Sequence, residues 1–68
     1  MSRYFVIYTT STTLFPNVEH HLSGFKTLRS AKATARKLRK HYNARNVEVR
    51  DTQAIDEAGF AKVVFQID

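Results

Sequence analysis

The sequence has 68 residues, a formal net charge of +5 and an isoelectric point near 10.0. A chain of this length has room for one modest core, so we expect a single domain over residues 1–68. The absence of cysteine excludes disulfides and thiolate metal sites and is typical of a cytoplasmic protein. The apolar run Tyr4–Tyr8 is too short to span a bilayer, so no membrane location is predicted.

Two strands are predicted in the first part of the chain. Tyr4–Tyr8 is aromatic or β-branched on both faces, which is typical of a strand at the centre of a sheet. Pro16-Asn17 is a turn signal, and the alternation over residues 18–23 indicates a second strand. Gly24 is expected to end that strand.

Residues 28–42, LRSAKATARKLRKHY, predict one amphipathic helix. Apolar residues recur at spacings of three and four and therefore share one face: Leu28, Ala31, Ala35, Leu38 and Tyr42. Thr27 is the expected N-cap and Asn43 the expected left-handed C-cap. The two central alanines allow this helix to lie close to a sheet.

Two further strands are predicted after the helix. The first is Val47–Arg50, with Val47 and Val49 facing inward, and residues 51–59 are expected to form a solvated loop. Residues 60–67 form the last strand, whose predicted apolar face comprises Ala61, Val63, Phe65 and Ile67. The order ββαββ predicts an α+β fold: a four-stranded, mainly antiparallel sheet with one amphipathic helix packed on one face.

The second face of this sheet is expected to carry exposed apolar side chains. We interpret Tyr4, Tyr8 and Phe60 as an interface on that face. The alternatives are a second core layer, a homodimer contact and a stacking platform for single-stranded bases.

The helix also carries an arc of basic side chains beside its apolar face. No acidic residue occurs from His20 to Val47, although that span holds most of the Lys and Arg: Lys26, Arg29, Lys32, Arg36, Lys37, Arg39, Lys40 and Arg45. Like charges at i,i+4 repel by ~0.2–0.5 kcal/mol per pair, so a helix shaped only for solubility would mix Glu with Lys. These residues are therefore the predicted binding site for nucleic-acid backbone, largely independent of sequence. An acidic protein surface is the alternative partner, and a merely solvated face is the third interpretation.

No catalytic or metal-binding pattern accompanies the basic arc. His20 and His21 are adjacent, so on a strand they would point to opposite faces and could not readily share a metal. Two glycines leave no phosphate-cradling loop, and no nucleophile spacing is recognisable. We therefore expect a non-enzymatic protein without cofactor.

Two resemblances bear on function. Gly59-Phe60-Ala61-Lys62-Val63-Val64-Phe65 resembles the RNP1 element of RNA-recognition motifs, and Phe5-Val6-Ile7 is loosely similar to their RNP2. The resemblance implies base stacking on the sheet, but Lys62 stands where a stacking aromatic residue is expected and Ala58 where a basic one is.

The second resemblance is one of layout. The strand-strand-helix-strand-strand order looks like that of many short phage and mobile-element products, anti-defence proteins among them. It implies an inhibitor or adaptor that binds a host protein, in competition with nucleic acid for the same site.

Overall fold

The computed structural model describes residues 2–67 and, within them, one antiparallel sheet and one helix. The elements in chain order are β1 (Tyr4–Thr10), β2 (Val18–Phe25), α1 (Leu28–His41), β3 (Arg45–Ile55) and β4 (Ala61–Ile67). The strand order is β2-β1-β3-β4, and every neighbouring pair is antiparallel. The predicted α+β fold with ββαββ order is confirmed, as is the central position of β1.

α1 begins and ends at the signals that its sequence provides. The hydroxyl of the N-cap residue Thr27 accepts the backbone N–H of Ser30 at 3.2 Å. At the other end Tyr42 is the cap, and its N–H donates to the carbonyl of Leu38 at 3.1 Å. Asn43 follows with φ of 52°, so it is left-handed as predicted but lies one residue beyond the cap.

The core lies between α1 and the central strands. Ala31 and Ala35 have no exposed surface, so the helix backbone lies close to the sheet. Val6, Val47 and Val49 are fully buried beneath them, which confirms the inward orientation predicted for the two valines of β3. The partly buried residues packed around this centre include Tyr4, Tyr8, Phe25, Leu28, Phe65 and Ile67.

The two faces of β1 are the reverse of the expected ones. The helix-covered face carries Tyr4, Val6 and Tyr8, and the open face carries Phe5 and Ile7. Because β1 is apolar on both faces, only its register with β3 determines which face the helix covers. Val6 pairs with the buried Val49, so the face of Val6 is the covered one. Phe60 lies outside β4, in the preceding turn, and is 65% exposed. The prediction that Tyr4, Tyr8 and Phe60 share the second face is therefore wrong.

Irregular pairing changes which side chains share a face. Gly24 lies inside β2 rather than at its end, with φ of 103°, where the pairing with β1 shifts by one residue. Asn46, with φ of 52°, occupies a similar bulge near the start of β3. Val64 is an extra residue in β4, so Val63 pairs with Arg50 instead of sharing a face with Phe65 as predicted.

β3 continues well beyond its predicted end. The backbone N–H and the hydroxyl of Thr52 both donate to the carbonyl of Arg3, at 2.9 and 2.7 Å, which extends the strand toward Ile55. The turn is therefore shorter than the loop predicted over residues 51–59. Its centre is Asp56, whose carboxylate accepts the backbone N–H groups of Ala58 and Phe60, both at 2.9 Å.

Candidate nucleic-acid interface

The basic side chains of α1 surround the part of the helix that does not face the core. Arg29, Arg36, Lys37 and Lys40 are exposed, and Lys32 and Arg39 are half-buried along its flank. Because Leu28, Ala31, Ala35 and Leu38 face the sheet, the period of the helix brings these six cations onto its remaining surface. We call these six residues the basic face.

The two flanking cations of the predicted site are placed differently. Lys26 is exposed and lies directly before the N-cap residue Thr27, adjoining the basic face. Arg45 begins β3 beyond the other end of the helix, where it borders a polar depression of about 120 Å³ with Asn43 and Asn46. Arg45 is therefore separated from the first turn of the helix by its whole length.

Two cations of the basic face contact an aromatic ring. Lys32 Nζ lies 5.1 Å and Arg36 Cζ 5.4 Å from the centroid of the Phe65 ring on β4. This cation–π contact positions both groups without neutralising their charge. Their hydrogen-bond donors therefore keep the capacity to bind an anion.

The acidic residues nearest to α1 in the sequence, Glu19 and Glu48, contact residues outside the basic face. Among residues 2–67 Arg3 forms an ion pair with Asp51 and Arg50 with Glu48, and His21 Nε2 lies 2.9 Å from Glu19 Oε1. In that same part of the chain no ion pair joins a carboxylate to Arg29, Lys32, Arg36, Lys37 or Lys40. Asp68 lies outside the described residues. The charge on these five side chains is thus not offset within the part of the molecule that the structure describes.

A groove beside the helix was missed by the reasoning from sequence. It lies between α1 and the β1–β2 side of the sheet, has a volume of about 490 Å³, and is lined by Tyr8, Thr10, His20, Leu22, Thr34, Lys37, Leu38 and Tyr42. A second depression of about 330 Å³ shares Thr10 and His20 with it and continues to Thr12, Phe15 and Val18. We call the two depressions together the β2 groove.

The β2 groove exists because one helix does not cover four strands. α1 packs mainly over β3 and β1, so the face of β2 on the helix side of the sheet is left largely uncovered. Tyr42, expected to be buried with the apolar stripe, is 69% exposed at the edge of this opening. Its predicted place in the core is wrong because the helix ends at His41, one residue earlier.

The adjacent histidines point to opposite faces, as predicted. His20 contacts the groove, where its Nε2 lies 2.7 Å from Thr10 Oγ1 and its ring stacks on Tyr8 at a centroid distance of 4.9 Å. His21 stacks on Phe5 across the open face. Within residues 2–67 no group of three or more His, Cys, Asp or Glu side chains could hold a metal ion. No helix in this range is long and apolar enough to cross a bilayer.

The resemblance to RNA-recognition motifs does not extend to the placement of the side chains. Phe60 lies in a turn, and Phe65 packs against the core beneath Lys32 rather than on the open face. Lys62 pairs with Asp51, which shares the face of the buried Val49. The RNP1-like segment therefore does not present its aromatic rings on the open side of the sheet.

Comparisons with protein-family models, with curated proteins and with solved structures found no match. The class that the fold and the site define is a small α+β domain with a basic helix face and an apolar groove beside it.

Proposed function

We propose that this protein is a small non-enzymatic, cytoplasmic binding protein that contacts the backbone of nucleic acid through the basic face of α1. The observation that carries the proposal is the set of cations on this helix with no acidic partner among the described residues: Arg29, Lys32, Arg36, Lys37 and Lys40. Lys26 extends the same surface beyond the N-cap. Phosphate groups are the partner that such a surface fits best.

The dimensions of the helix support a contact with several phosphates. α1 has 14 residues. A helix of that length extends about 21 Å, over which duplex DNA carries on the order of a dozen phosphates. The exposed side of α1 has no Asn or Gln, the residues that read adenine in the major groove. Binding is therefore largely independent of sequence.

The test is a titration of labelled duplex and single strands at increasing salt, read by fluorescence anisotropy. We expect binding at low salt, with log K falling linearly as log salt rises. The substitution Lys40→Gln should weaken binding and reduce the magnitude of the slope by about 1, because one phosphate contact is lost.

The matched control is Lys62→Gln, which removes the same charge from an exposed lysine that belongs to β4 and not to the basic face. It should leave the slope unchanged, and circular dichroism verifies that both variants are folded. No binding of either strand at low salt, or equal effects of the two substitutions, would overturn the proposal.

A second candidate function is an inhibitor or adaptor of the phage or mobile-element type that docks on an acidic surface of a host protein. The exposed apolar side chains that line the β2 groove favour it, since protein interfaces combine an apolar centre with a polar rim. A pull-down from nuclease-treated bacterial lysate tests it. A stoichiometric protein partner that Lys40→Gln releases and Lys62→Gln retains would support this function over the first.

A further inference from the structure

We infer that the β2 groove binds unstacked bases of a single strand whose phosphates contact Lys37, the residue that the groove shares with the basic face. This inference rests on the proposed function and names single-stranded nucleic acid as the ligand class. It concerns a surface separate from the open sheet face, where stacking was expected from the sequence.

Aromatic rings contribute to the lining of both depressions of the β2 groove. Tyr42 stands exposed on one side, and the stacked pair of Tyr8 and His20 forms part of the floor. Phe15, 65% exposed, borders the second depression. Because every base has a π-face, stacking on such rings tolerates any sequence.

The polar groups of the groove are arranged for a ligand that is apolar in its centre and negative at its edge. Lys37 belongs to both the groove and the basic face, so it places an ammonium group at the rim. Among the described residues that line the two depressions, none is acidic. The nearest acid along β2, Glu19, bonds with His21 on the opposite face of the strand.

The same arrangement selects single strands over duplexes. Bases in a duplex are paired and stacked on one another, so their faces are not available to protein rings. A single strand can place its bases against Tyr42 and its phosphates against Lys37. Further phosphate contacts along α1 add electrostatic affinity, which single strands and duplexes share.

The experiment compares two ligands with matched phosphates. One is a labelled thymidine strand of about 12 nucleotides, within the roughly 4–16-nucleotide range of single-strand sites, and the other is an abasic strand of the same length. We expect the unmodified protein to bind the thymidine strand about tenfold more tightly. Tyr42→Ala should remove this difference and leave the affinity for the abasic strand unchanged.

Two further variants make the result specific. Phe60→Ala is the matched control, because Phe60 is 65% exposed against 69% for Tyr42 but lies in the turn between β3 and β4. It should keep the tenfold difference. Tyr42→Trp should also keep it, and its fluorescence should be quenched by the thymidine strand and not by the abasic one.

The outcomes distinguish base binding in the β2 groove from backbone binding on the basic face. Equal, salt-sensitive binding of both strands overturns this inference and leaves the proposed function standing, whereas no binding of either strand overturns the proposed function as well. Equal effects of Tyr42→Ala and Phe60→Ala also overturn the inference. So does a dimer in light scattering that Tyr42→Ala dissociates, because the groove is then a contact between two copies.

Discussion

Arg3 and Asp51 are joined by a two-point ion pair, in which Nε donates to Oδ1 and Nη2 donates to Oδ2, both at 3.0 Å. The carboxylate also accepts the backbone N–H of Gln53 at 2.9 Å, and Asp51 is only 5% exposed. Together with the bonds from Thr52 to the Arg3 carbonyl, this pair fastens the segment before β1 to the middle of β3.

The first prediction concerns acid stability. The hydrogen bond from Arg3 lowers the pKa of Asp51 below its ordinary value of 3.8. Because the carboxyl group is more acidic in the folded chain than in the unfolded one, the pair stabilises the fold above about pH 4. This contribution is lost as pH falls through the lowered pKa. Arg3→Met should decrease the melting temperature at neutral pH and reduce its further decline in acid.

Thermal unfolding followed by circular dichroism over a pH series measures this effect. Lys26→Met is the control, since Lys26 is exposed, lies outside the sheet and forms no ion pair among residues 2–67. It should keep the acid dependence of the unmodified protein. An equal decline in acid for Arg3→Met and the unmodified protein would contradict the role given to the ion pair.

The second prediction concerns the close approach of the helix to the sheet. Ala35 has no exposed surface, so Ala35→Leu forces extra carbon atoms into a filled space and should lower the free energy of unfolding by about 1–3 kcal/mol. Ala33→Leu adds the same atoms on the exposed side of α1 and should change the free energy of unfolding by less than about 0.5 kcal/mol. Urea unfolding compares the two variants, and similar losses in both would show that the helix does not pack as described.

The third prediction concerns the bulge at the start of β3. Asn46 has φ of 52°, a left-handed conformation that β-branched residues tolerate poorly. Asn46→Val should therefore lower the free energy of unfolding by roughly 1–2 kcal/mol. Asn46→Gly should remain close to the unmodified protein because glycine adopts this conformation without strain. Equal losses in both variants would assign the effect to the side chain instead of to the backbone.

The elements of this fold are predictable from sequence where their causes are local. Thr27 and Asn43 mark the two ends of α1, and the spacing of Ala31 and Ala35 identifies its buried side. β3 is different, because its second half is held by Arg3, which is distant in the chain. The end of that strand is therefore not predictable from a short window of sequence.

The faces and the groove could not be predicted in the same way. A strand that is apolar on both sides has no sequence pattern that shows which side faces the helix. A single bulge, such as the one at Val64, also reverses the faces of the residues that follow it in the strand. The basic residues of α1 were found because helical period alone brings them together. The β2 groove depends on where α1 crosses the sheet, which is a tertiary property of the chain.

The turn at Asp56 has a consequence for how the molecule meets a charged partner. Asp56 and Glu57 concentrate negative charge at the tip of the β3–β4 hairpin, whereas α1 concentrates positive charge on its own surface. This separation of charge contributes to a permanent dipole moment, and the electric field of a polyanion exerts a torque on that dipole. Where the partner is a polyanion, as proposed, rotation during the diffusional approach turns the helix toward it before the two surfaces touch, to a degree that falls as added ions shorten the range of the field.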